Sequence, residues 1–62
     1  MLNVGEIVLD RKTGGTGLII NIWSDDSVEL DLVLPGGRQV IATRNTADLD
    51  RIGRPRRRRG RW

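Results

Sequence analysis

Apolar and polar positions alternate along much of the chain with the two-residue period of a half-buried strand, and no ten-residue window carries a helical period. Residues 6–10 (EIVLD) predict a short strand opened by Gly5. Residues 17–23 (GLIINIW) predict a second, bounded by the turn sequence Ser24-Asp25-Asp26-Ser27. Over 28–34 (VELDLVL) the alternation is clean: Val28, Leu30, Leu32 and Leu34 share one face, and Glu29 and Asp31 take the other. Pro35-Gly36-Gly37 reads as a tight turn, and RQVIAT (38–43) as the returning strand of that hairpin. Asn45 and Asp48 stand at capping-box-like spacing, which predicts one helical turn over 46–49 before a last strand around Leu49 to Ile52. The cluster Thr13-Gly14-Gly15-Thr16-Gly17 between the first two strands is expected to need backbone angles that glycine supplies cheaply. The sum is an all-β small barrel of five strands with one short 3-10 turn before the last.

The same pattern carries an excess. Ile7-Val8-Leu9, Leu18-Ile19-Ile20 and Leu32-Val33-Leu34 are apolar on both strand faces, whereas an isolated barrel buries only one. A second buried surface is therefore expected, through a homo-oligomer or a protein partner. Ile19, Trp23 and Val33 are its candidate interface residues, with Trp23 placed on the face opposite Ile20 and Ile22.

Composition removes most chemistry. The 62 residues include no cysteine, histidine or tyrosine, and one lysine, Lys12. The usual general base, thiolate ligands and disulfide staples are all missing, so neither an enzyme nor a metal site nor a cofactor is expected. Asp25-Asp26 lacks a third carboxylate at ligand spacing and reads as a solvated turn. Gly14-Gly15-x-Gly17 is followed by no helix and no Gly-Lys-Ser/Thr ending, so it reads as a hairpin turn rather than a phosphate cradle. The start MLNVGEIVLD has no basic region before an apolar run, and the longest strongly apolar stretch, Leu18 to Trp23, is too short to span a membrane. A soluble, cytoplasmic protein, or one within a particle assembled there, is the expectation.

Charge divides the chain in two. Residues 1–50 hold four bases against eight acids, a net −4, while 51–62 hold seven arginines and no acid, a net +7; the whole is +3. This sets a body, 1–53, apart from an arginine-rich C-terminal tail, 54–62, which Pro55 and Gly60 should keep disordered until it meets a polyanion. Arginine forks bind phosphate bidentately, and an indole can stack on an unpaired base. Arg51, Arg54, Arg56, Arg57, Arg58, Arg59, Arg61 and Trp62 are thus the candidate nucleic-acid-binding residues, for DNA or RNA.

Val4-Gly5-Glu6-x-Val8, the glycine loop and Gly17-x-Ile19-x-x-Ile22, with a late Leu49-x-x-Ile52, resemble the KOW and Tudor-like group of SH3-like barrels. The resemblance covers about residues 4–53 and implies an SH3-like fold contacting RNA or protein, although the basic and aromatic loop residues of such contacts are missing here. The order Gly5-Glu6…Trp23…Pro35-Gly36…Gln39…Leu49-x-Arg51-Ile52 is also similar to the plasmid-borne, trimethoprim-insensitive type of dihydrofolate reductase, a tetramer of SH3-like barrels around a shared pore. Of its Val-Gln-Ile-Tyr pore segment only Gln39 has a counterpart, beside Arg38, Val40 and Ile41, which implies shared fold rather than shared catalysis. The functional expectation is a non-enzymatic nucleic-acid-binding protein whose tail contacts phosphates and whose barrel mediates assembly. The alternative is a structural subunit of a phage particle or ribonucleoprotein, with the barrel docked on protein.

Overall fold

A computed structural model describes residues 2–52. The tail candidates Arg54, Arg56, Arg57, Arg58, Arg59, Arg61 and Trp62 lie outside the described residues. Five strands form one antiparallel sheet: β1 (Ile7–Asp10), β2 (Thr16–Ser24), β3 (Ser27–Val33), β4 (Gln39–Asn45) and β5 (Leu49–Arg51). A 3-10 turn, Thr46–Asp48, joins β4 to β5, and the spatial order is β4-β3-β2-β1-β5. The described residues contain no α-helix, and the protein is all-β as its periodicity predicts.

β3 organises the core because its alternation is unbroken. Val28, Leu30 and Leu32 are each at most 1% exposed, joined by Val8, Ile19 and Leu49. Leu2, Leu34, Val40 and Ala42 pack against this cluster while remaining partly exposed. At about 1.5–3 kcal/mol for each fully buried apolar side chain, six such groups make a thin core. Two glycines let neighbouring strands pack tightly against it. A Cβ on Gly17 would stand 2.9 Å from a Leu30 methyl, and one on Gly15 would stand 2.5 Å from the Val33 carbonyl oxygen. Only Gly14 of that cluster has a positive φ, 81°. Gly15 and Gly17 serve close approach rather than unusual angles, a distinction the sequence pattern does not carry.

The turns follow their residues. Gly37 N donates to Leu34 O at 2.9 Å around Pro35-Gly36, with φ of 99° at Gly36 as a type II turn requires. Asn45 Oδ1 accepts from Ala47 N at 2.9 Å and caps the 3-10 turn.

β2 departs from simple alternation. Ile19 pairs with Leu30 and Asn21 with Glu29, so Ile20 is an extra residue; Ile22 pairs with Val28 and Ser24 with Ser27, so Trp23 is another. Asp25 and Asp26 both have negative φ, which excludes the primed turns whose twist suits a two-residue hairpin. The second bulge, at Trp23, takes up the mismatch. Ile19 therefore faces inward beside Leu30 at 1% exposure and is a core residue, not the outward interface residue expected of it. Ile20 and Ile22, placed opposite Trp23 by strict alternation, are about as exposed as their neighbour Leu18, at 39–40%.

Candidate binding surfaces

Two buried acids flank β1, and both are occupied. Asp10 is fully buried; Thr13 Oγ1 donates to its Oδ2 at 2.7 Å, and Arg44 Nε lies 3.2 Å from each carboxylate oxygen. The Lys12 amide donates to Oδ1 at 3.3 Å. Burial alone would push this carboxyl up, but the Thr13 hydroxyl, the Lys12 amide and the Arg44 guanidinium together hold it below the ordinary aspartate value. Glu6, also buried, accepts the Asn3 amide at 2.8 Å on Oε1, and its Oε2 lies 2.8 Å from Arg51 Nε. Exposed Arg11 joins Asp50 at 3.1 Å and also donates to the Ala47 carbonyl, tying the end of β1 to the 3-10 turn and β5.

These pairs set Arg51 apart from the other candidate nucleic-acid-binding arginines. Arg51, grouped by composition with the basic tail, sits on β5 opposite Val8 and is ion-paired to Glu6. Nothing local announces this, because Glu6 lies 45 positions away in the chain. With the Arg51, Arg44 and Arg11 guanidiniums paired, Asp25, Asp26, Glu29, Asp31 and Asp48 have no ion pair among the described residues. No three acids gather there as a metal cluster would require. The glycine cluster offers no phosphate cradle, since Gly14 N donates to Asp10 O at 2.7 Å and Gly15 N to Thr13 Oγ1 at 3.1 Å.

Two surfaces remain open. On the outer face, pairing sets Ile7 beside Leu18, Leu18 beside Asp31 and Asp31 beside Ile41, with Thr16, Val33 and Gln39 in the adjacent row. Val33 is 43% exposed and Ile41 58%. Gln39 Nε2 donates to Asp31 Oδ1 at 2.7 Å beside a shallow hollow of about 180 Å³. Gln39, the one residue matching the reductase pore segment, thus lies on this outer face. Trp23, 58% exposed, sits at the far end of β2, seven residues or roughly 23 Å along the strand from Thr16, the partner of Val33. The interface candidates Val33 and Trp23 are not brought together. The residues that do join Val33 are Ile7, Leu18 and Ile41, each on the face of its strand opposite the core.

The second surface is a cleft of about 400 Å³ where the sheet curls toward the 3-10 turn. Leu2, Ile22, Val28 and Leu49 form its apolar wall; Asn3, Ser24, Asp25 and Thr46 supply its polar rim. Thr46 fixes that rim, its amide donating to Asp26 O at 2.8 Å and its hydroxyl to Asp25 O at 3.3 Å. Among the described residues no helix is long and apolar enough to cross a membrane. Comparison of the chain with protein-family models, with curated proteins and with solved structures finds no match to any of them.

Proposed function

We propose that this is a non-enzymatic nucleic-acid-binding protein, with segment 54–62 contacting phosphates and the β-sheet body serving assembly. The strand order and the 3-10 turn before β5 support reading that body as a small SH3-like barrel. One observation carries the functional reading: the separation of charge. The described body has eight acids against five bases, a net −3, and three of its arginines are spent on its own acids. Arg54, Arg56, Arg57, Arg58, Arg59 and Arg61 have no acid among them, so a polyanion meets six guanidiniums on one short segment. Arg51, ion-paired to Glu6 and 43% exposed, stands at the start of that basic run.

The outer-face row of Ile7, Leu18, Val33 and Ile41 supports the assembly half, and it equally favours a structural subunit docked on protein. Titration of a labelled duplex by the full chain at several salt concentrations tests the main reading. With about five phosphates neutralised, log affinity falls against log salt with a slope of roughly −4 to −5. Replacing Arg56, Arg57, Arg58 and Arg59 with glutamine makes the slope shallower by about 3–4 units. A variant that binds as tightly as the parent, with the same slope, places recognition in the body and overturns this division of labour.

A further inference from the structure

We propose that the cleft walled by Leu2, Ile22, Val28 and Leu49 is the docking site of Trp62 of the same chain, with the arginines of 54–61 lying against Asp25 at its rim and Asp26 next to it in the turn. The docking needs no nucleic acid; its effect on affinity rests on the function proposed above.

The cleft has the make-up of a site for one aromatic group on a cationic strand. Its volume, about 400 Å³, falls within the range of sites that enclose small organic groups. The wall is aliphatic and continuous with the core through Val28 and Leu49. An indole buried there needs one acceptor for its N–H, and Asn3, Asp25 and Thr46 among the lining residues each have a side-chain oxygen. Asp25 lines the cleft, and neither it nor Asp26 is ion-paired among the described residues, so the rim is negative and unpartnered.

Chain geometry selects the occupant. Leu49, in the cleft wall, begins β5, and Ile52 follows three residues later, roughly 10 Å away along a strand. Ten residues, 53–62, come after it. A segment of that length reaches at most about 33–36 Å, and its six like charges favour extended conformations. The cleft lies within that reach, and a tether that short raises the effective concentration of Trp62 there. The segment's only aromatic residue is Trp62, and it has no acid to compete for its six arginines. An apolar wall meets the indole, and an acidic rim meets the cations. The body then competes with nucleic acid for the same guanidiniums and holds them back from weak polyanions.

The test uses the full chain carrying Trp23→Phe, which leaves Trp62 as its single indole. Docking predicts that Trp62 emission is blue-shifted and its acrylamide quenching about twofold weaker than in a synthetic peptide of residues 53–62, with the protection reduced by high salt. Asp25→Asn with Asp26→Asn reduces that protection and, at low salt, raises affinity for a single-stranded oligonucleotide by a few-fold. Trp62→Ala shifts the methyl resonances of Ile22 and Leu49. Quenching equal to that of the peptide, with those resonances unmoved, overturns the proposal. Protection that grows with protein concentration overturns it in favour of a second copy's segment in the cleft. Protected Trp62 in a chain that binds no oligonucleotide leaves the docking standing and removes the nucleic-acid function instead.

Discussion

Asp10 and Glu6 at the ends of β1, and Asp25 and Asp26 at the β2–β3 turn, are the same chemistry put to opposite uses. The first pair is buried, each acid gripped by an arginine from a distant strand. The second is solvated and has no cation of its own among the described residues. A net charge sums all four alike. What separates them is burial: a carboxylate removed from water must be paired and hydrogen-bonded, whereas a solvated one can wait for a partner.

The sharpest way to break this comparison is Asp10→Ala, which strands half-buried Arg44 and removes the acceptor of Thr13. Loss of one partner of a buried pair costs about 3–5 kcal/mol. A chain of 62 residues has roughly 3–9 kcal/mol in all at 0.05–0.15 kcal/mol per residue, so urea titration should find half or more of the parent's stability gone. The parent's pH dependence follows from the same group. Its folded carboxyl titrates below the unfolded value of about 3.9, so its stabilisation is complete at neutral pH and is lost as pH falls through the folded value. Glu6→Gln should cost less, about 1–3 kcal/mol, because Arg51 is 43% exposed and water can take it back. At the small end, Asp25→Asn and Asp26→Asn should each leave unfolding within about 0.5 kcal/mol of the parent. A loss like that of Asp10→Ala at either turn position would erase the distinction.

What the sequence makes legible is what local periodicity and turn chemistry determine. Val28, Leu30 and Leu32 fall inward because β3 has no interruption, and Pro35-Gly36 turns as its residues require. β2 is misread because alternation assumes a regular ladder. Two extra residues at Ile20 and Trp23 change the count, and no local signal marks either position. The ion pairs were hidden for a different reason. Glu6 with Arg51 and Asp10 with Arg44 join residues 45 and 34 positions apart in the chain, which only the folded sheet makes neighbours. The cleft is likewise a product of curvature, gathering Leu2, Ile22 and Leu49 from three parts of the chain.

β4 lies at the rim of the sheet, with no strand beside its outer edge among the described residues. Residues 39–43 of that strand, QVIAT, are uncharged, free of proline and rich in β-formers, the composition from which fibrils nucleate. Arg38 and Arg44 bracket the run like a pair of gatekeepers, but Arg44 is drawn inward by Asp10. Arg38 is left as the charge beside this run most available to repel the same strand of another molecule. Arg38 is exposed and takes no part in the core, so Arg38→Ala is expected to show as turbidity at high concentration rather than as lost stability.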